Sequence, residues 1–316
     1  MISFSLKQKI YASFNTLMSI CDLSVTKGMV FKMKVILDEF IAYLEKKHST
    51  KNTITSYERD ILKFIDYIES KGENILKLSS TDMQEYIDYL KEENKSPATI
   101  SRCNASIKSF YKFLISRNFV EKNIVNHINM SKVEKKDPSI LTKNEIAELL
   151  NQPLSKDLKG ERDKTMLEVL YCTGIRVTEL IDLNVNDVNF SNTTIKISKP
   201  KTSRIIKLNN STIKYLTNYV LNIRPLLVRE KTDDTLFLNA SGKQLTRQGF
   251  WKILKQYKSL ANIDKDVTPH TIRHSFAVHQ LKDGMDMKKL QEILGHTDVA
   301  TTMMYNNIIN NDNIEL

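Results

Sequence analysis

The chain has 316 residues, enough for two domains of ordinary size, and 41% of them are hydrophobic, enough for real cores. Only 8 glycines and 6 prolines argue against a loop-rich or all-β protein, and no apolar run approaches the roughly 18 residues that cross a bilayer. Lysine and arginine number 47 against 37 aspartates and glutamates, a net charge of +10, which suits a polyanion such as nucleic acid but also fits a plain basic surface. Residues 1–32 are mildly apolar, carry scattered lysines, and lack a compact apolar stretch followed by a small-residue cleavage site. They are expected to be a leader, poorly ordered or ahead of the true start, with Met29 and Met33 as alternative starts, and the protein is expected to be cytoplasmic.

From Val35 the pattern turns helical. Ile36, Phe40, Ile41 and Leu44 recur at three and four, and Tyr57, Ile61, Phe64, Ile65 and Ile68 form a second stripe that ends before Gly72. A third helix is predicted to open on Thr81 as N-cap with Gln84 three residues on, and a fourth on Ser96-Pro97. These helices predict an all-α domain over residues 33–128. The charged, proline-terminated stretch Ser131–Pro138 predicts a linker over residues 129–139. Residues 140–316 form the second domain, opened by Thr142 as a cap with Glu145 at its third position. Helical patterns cover Leu167–Tyr171 and Val177–Leu183, period-two patterns cover Thr194–Ser198 and Arg204–Leu208, and a third short strand is expected at Thr235–Leu238. The fold class is therefore mainly α, with a small antiparallel sheet in the second domain. Cys21, Cys103 and Cys172 are odd in number and widely spaced, which supports neither a disulfide framework nor a zinc site; each is expected to be a small buried hydrophobe.

Two segments carry chemistry. In the first, Thr173-Gly174 precedes Arg176, which opens a helix and has Glu179 three residues on; alone, that pair reads as a surface salt bridge. In the second, Thr268-Pro269 caps a helix that carries His270 and Arg273 one turn apart, so an arginine fork and a helix N-terminus meet where an anion could bind. His274 is expected to point away from the His270 face and to play a structural part, and His279 to be a solvent or packing residue. Asp286 should cap a helix stopped by Gly295, leaving His296 at a helix junction ahead of Tyr305. Lys199 and Lys201 lie in the turn between the two predicted strands, where a lysine can reach a cleft as a proton donor or simply decorate a solvated edge. A lone tyrosine is usually core, and its pKa near 10 makes it a poor nucleophile unless cations favour the phenolate.

The set Thr-Gly-Ile-Arg176, His270-x-x-Arg273, Leu-Gly-His296 and Tyr305 resembles the tyrosine recombinases, or phage integrase family, and is most similar to the bacterial Xer-type site-specific recombinases. The resemblance covers nearly the whole chain from about Val35, and Ser56-Tyr57-Glu58-Arg59-Asp60 adds to it in the first domain. It implies a SAM-like core-binding domain followed by an integrase-like catalytic domain. It implies Tyr305 as nucleophile on a scissile phosphate, with a 3′-phosphotyrosyl intermediate and a Holliday junction. Arg176 and Arg273 would hold the non-bridging oxygens, Lys199 (or Lys201) would protonate the 5′ oxygen, His270 would act in proton transfer near the tyrosine, and His296 would bond the phosphate. Neither ATP, metal nor other cofactor is implied. The partners implied are a double-stranded DNA recombination site and a homo- or hetero-tetramer with a related recombinase on paired sites, serving chromosome-dimer resolution or mobile-element integration and excision, with no membrane. A non-cutting DNA-binding accessory protein and a type IB topoisomerase-like nicking enzyme are the competing readings.

Overall fold

A computed structural model of the protein describes residues 25–125, 138–153, 157–198, 203–229, 234–296 and 299–310. The chain divides into two compact units, Met1–Lys135 and Lys136–Leu316. None of the described helices is long and apolar enough to cross a membrane. Most of the expected leader, Cys21, most of the expected linker, and both Lys199 and Lys201 lie outside the described residues.

The first unit is built from α1 (Val25–Lys46), α2 (Lys51–Ser70), α3 (Ser80–Glu92) and α4 (Pro97–Ser116). Among the described residues, α1 takes in residues of the segment expected to be leader. Ser96 and Pro97 open α4 as expected, with the Ser96 hydroxyl accepting from Thr99 N–H at 3.2 Å. The third helix begins earlier than its expected cap at Thr81. Ser79 is the cap, and its backbone N–H donates to Asp82 Oδ2 at 2.7 Å. A short carboxylate at the third position closes the reciprocal box as well as Gln84 could have, and the earlier pair wins. Phe40, Ile61, Phe64, Met83, Ile107, Phe110, Phe113 and Leu114 fill the core from all four helices. One polar anchor sits within it: buried Asp60 accepts two bonds from Arg102, both at 2.9 Å, and one from Ser106 at 3.1 Å, which ties α2 to α4.

The second unit holds α5 (Lys143–Asn151), α6 (Leu158–Thr173), α7 (Val177–Ile181), β1 (Val188–Asn189), β2 (Thr194–Ile197), β3 (Arg204–Lys207), α8 (Asn210–Asn218), a π-turn (Tyr219–Ile223), α9 (Arg224–Leu227), α10 (Arg247–Leu260), α11 (Pro269–Lys282), α12 (Met287–Leu294) and α13 (Val299–Asn310). Thr142 and Glu145 cap α5 reciprocally, as the sequence predicts. The strands form an antiparallel sheet in the order β1-β2-β3, with Ile195 opposite Ile206 and Lys196 opposite Ile205. The third strand is Val188–Asn189, not Thr235–Leu238. Residues 235 and 238 make only isolated bridges, to Asn184 and Gln244. Leu236, Phe237 and Leu238 are all buried, so the run presents no alternating face to a sheet, and a short continuous apolar run cannot be told apart from a strand by period alone.

Helix α11 lies between α6 and α13, while α12 contacts both β3 and α13. A small core joins Ile140, Phe276, Ala277, Val278, Leu290, Leu294, Tyr305 and Ile308. The ring of Tyr305 is thus one of the side chains that pin α13 down, and Ile308 is buried beside it. His279 is a packing residue: it is buried and its Nδ1 lies 2.8 Å from the Tyr171 hydroxyl. Cys103 is buried, while Cys172 is only half-buried.

Candidate active site

Three helix ends deliver the chemistry. The first is the end of α6. Gly174 takes a left-handed φ of 58°, and a Cβ there would fall 2.2 Å from the Phe276 ring, so only glycine permits this turn. The turn places buried Ile175 inward and Arg176 at the cap of α7, with 39% of its side chain exposed. The second is the start of α11, where the Thr268 hydroxyl accepts from Thr271 N–H at 3.1 Å and Pro269 fills the first turn. The third is the end of α12. Left-handed Gly295 closes it, with Gly295 N–H donating to Glu292 O and His296 N–H to Gln291 O, the Schellman pairing.

Arg273 is buried where these ends meet. It donates to Gly174 O at 2.7 Å and to Leu294 O at 2.8 Å, and a third contact reaches His296 Nε2 at 2.9 Å. One guanidinium therefore bridges two helix termini. Burial first, then the charge of Arg176, pushes its pKa down to about 10, which leaves it cationic at neutral pH. His296 is pushed down to about 4 by burial and then by Arg273 and Arg176, so its ring is neutral.

Tyr305 projects from α13 into the same place, with 1% of its surface exposed. Burial raises its pKa, Arg273 and Arg176 pull it back, and the balance stays above the usual phenol value. Its hydroxyl lies 2.9 Å from His274 Nδ1. The expectation that His274 points away from the His270 face is wrong. At roughly 100° per residue, position 274 is about 40° from position 270, closer than Arg273 at about 60°. The rings of His270 and His274 are 6.4 Å apart, and those of His274 and Tyr305 are 5.6 Å apart. Burial, His270 and Arg273 bring His274 down to about 4. His270 is exposed at the edge of the cluster; partial shielding of its ring, then Arg273, Arg176 and Arg247, hold its pKa below the usual value.

Arg176, His270, Arg273, His296 and Tyr305 all belong to this cluster, and His274 joins them. Two further residues were missed by sequence reasoning. Arg204, at the start of β3, donates twice to Glu179, at 3.0 Å each, and also to the Ile293 carbonyl. Thr302, one helical turn before Tyr305, has its hydroxyl 2.9 Å from His296 Nδ1. That spacing was the available signal for Thr302, since residues three apart share a helix face. Glu179 is not the surface partner expected for Arg176: it is buried, takes the Arg176 backbone N–H at 2.8 Å, and only secondarily meets the Arg176 guanidinium at 3.5 Å.

The profile of the phage integrase family matches residues 139–311, and that of the phage integrase N-terminal SAM-like domain matches residues 37–118. Tyrosine recombinase XerD of Staphylococcus epidermidis is 40% identical over 279 residues, covering 87% of this chain and 95% of that protein. Tyrosine recombinase XerD of Staphylococcus aureus is 38% identical over the same shares. Among solved structures, the Tn1549 transposon integrase in complex with a circular intermediate DNA aligns with a TM-score of 0.73 at 19% identity, over 85% of this chain and 94% of that one. A lambda integrase dimer bound to a core site aligns with a TM-score of 0.70 at 15% identity, over 90% and 98%. These two share the fold. Both profiles together with the sequence relatives establish that the chain belongs to the phage integrase family and is a tyrosine site-specific recombinase.

Proposed function

We propose that this recombinase cuts duplex DNA by attack of Tyr305 Oη on a scissile phosphate, leaving a 3′-phosphotyrosyl bond and a free 5′-hydroxyl. The single observation that carries the reading is the convergence on one place of the Tyr305 phenol, 2.9 Å from His274, and of Arg273, 2.9 Å from the His296 ring that stacks 6.3 Å from the Tyr305 ring. Arg273, locked to two helix-end carbonyls, is a preorganised cation for the non-bridging oxygens; Arg176, partly exposed, completes the clamp. His270 stands at the rim for proton transfer, His296 steadies Arg273 beside the phosphate, and Lys199 or Lys201 protonates the leaving 5′ oxygen. The phosphotyrosyl bond conserves the energy of the one it replaces, so a 5′-hydroxyl from a second strand reverses the step on a new partner.

The residues 33–128 would serve as a core-binding domain and 140–316 as the catalytic domain, joined by a linker over 129–139. The DNA partner would be a double-stranded recombination site, engaged by a homo- or hetero-tetramer that passes through a Holliday junction in the cytoplasm. The net charge of +10 suits that partner and predicts salt-sensitive binding. Incubation with a nicked half-site DNA, followed by denaturation, tests the chemistry: a covalent adduct is expected, and Tyr305→Phe should abolish it while DNA binding persists. Adduct surviving in Y305F would overturn the nucleophile. Sequencing DNA trapped on the protein in cells separates chromosome-dimer resolution from mobile-element integration or excision.

A further inference from the structure

We propose that His274 takes the proton of Tyr305 as its phenol oxygen attacks phosphorus, a role that rests on Tyr305 being the nucleophile. The Nδ1 of His274 is 2.9 Å from the Tyr305 hydroxyl, the only hydrogen-bond partner that oxygen has among the histidines of the described residues. His296 is excluded as a base for this proton even though its ring stacks 6.3 Å from that of Tyr305. Its Nε2 already accepts from Arg273 and its Nδ1 faces Thr302. His270 makes no hydrogen bond to Tyr305 and sits one ring further out, 6.4 Å from His274. His274 is thus interposed between the nucleophile and the rim of the site. A phenol that is the donor leaves Nδ1 as the acceptor, so the ring carries its hydrogen on Nε2. Burial beside cationic and histidine neighbours keeps the ring neutral at rest but also weakens it as a base, so the proton transfer relies on the negative charge of the bound phosphate to favour the imidazolium.

The step balances. The Tyr305 oxygen forms a bond to phosphorus, the bond from phosphorus to the 5′ oxygen breaks, the phenol proton passes to His274 Nδ1, and the general acid supplies a proton to the 5′ oxygen. On rejoining, the His274 imidazolium returns its proton to the departing phenolate oxygen.

His274→Asn and His274→Ala test the role in single-turnover cleavage of a nicked half-site. Asparagine offers an acceptor oxygen near the position of Nδ1 but cannot carry the proton, so H274N separates proton transfer from placement and is the variant to use if H274A folds poorly. Both should bind DNA normally and cleave about 10²–10⁴-fold more slowly. A DNA with a bridging 5′ sulfur, which needs no general acid, should leave the defect in place. Difluorotyrosine at position 305, whose hydroxyl is more acidic, should recover much of the lost rate. Cleavage at the unsubstituted rate in H274N, rescue by the bridging sulfur, or no gain from difluorotyrosine would each overturn the role. Absence of any adduct with the unsubstituted protein would instead remove the reading beneath it.

Discussion

Arg273 and His296 fix one another: the guanidinium is 2.9 Å from His296 Nε2, and because arginine only donates, that nitrogen must accept. The hydrogen of the neutral ring therefore sits on Nδ1 and points to the Thr302 hydroxyl, 2.9 Å away. His296 in this arrangement orients the arginine and has no free N–H on Nε2 to offer a phosphate. The resting tautomer is set by Arg273, and its N–H is taken up by a threonine on the helix that carries the nucleophile.

Thr302→Val removes that acceptor and keeps the volume. The hydrogen bond that orients the His296 ring is lost, Arg273 loses a fixed partner, and cleavage should slow about tenfold, the rate equivalent of roughly 1.4 kcal/mol. DNA binding should be unchanged, because Thr302 is buried in the protein. Single-turnover adduct formation is the measurement. A rate equal to the unsubstituted protein's would mean that Thr302 does not govern His296.

Gly174→Ala attacks the same arginine from the other side. The new Cβ would lie 2.2 Å from Phe276 Cδ1 and 3.0 Å from Leu294 Cδ2, at a φ of 58° that alanine disfavours. Relief requires either Phe276 to leave its core or the turn to rotate, which swings Gly174 O away from Arg273. A loss of about 1–3 kcal/mol is expected from the backbone and packing together, along with slower cleavage. Thermal melting and adduct formation should fall in parallel; unchanged melting would show that the turn relaxes freely.

The sequence made the helices legible because their caps and stripes are local. Thr142, Ser96 and Thr268 cap the helices they were expected to cap, and Gly295 stops α12. The arginines, His270, His296 and Tyr305 were legible as a set only through their joint resemblance to a family. What stayed hidden depends on contacts across the fold. Arg204 reads as an ordinary strand residue until β3 is laid beside α12 and the end of α7. His274 shares a face with His270, four positions back, a relationship that its adjacency to Arg273 hides in the sequence. Leu236–Leu238 looks like a strand because buried apolar runs share that appearance whatever their pairing.

The histidines also predict how stability responds to acid. His274 and His296 are held at about 4 in the folded protein against an ordinary value of 6.5, chiefly by burial. Between those values the unfolded chain binds protons that the folded chain refuses, so stability falls as pH drops through this window and is fully present above about 6.5. His270 and His279, also depressed, add with the same sign. The melting temperature should be level near pH 7 and above, then decline toward pH 4. His274→Gln should make the decline shallower, and equal slopes for the variant and its parent would refute the assignment.

Glu179 sets the charge balance under the clamp. It is buried and accepts from Arg204 twice at 3.0 Å and from the Arg176 backbone at 2.8 Å. Burial alone would raise its pKa; the bonds from Arg204 and Arg176 overcome that, hold it below the usual carboxylate range and keep it ionised. Glu179→Ala removes the carboxylate that accepts twice from the Arg204 guanidinium, which has 9% of its side chain exposed, a change that costs about 3–5 kcal/mol. It also frees Arg176 from the contact that fixes its direction, so cleavage should fall further than melting explains. Glu179→Gln retains an acceptor and the shape but not the charge, and should lie between. Because Arg204 also binds the Ile293 carbonyl near the end of α12, loss of Glu179 should loosen the turn that presents His296. Hydrogen exchange at Gly295 and His296 measures this, and unchanged protection there in Glu179→Ala would show that the two ends are independent.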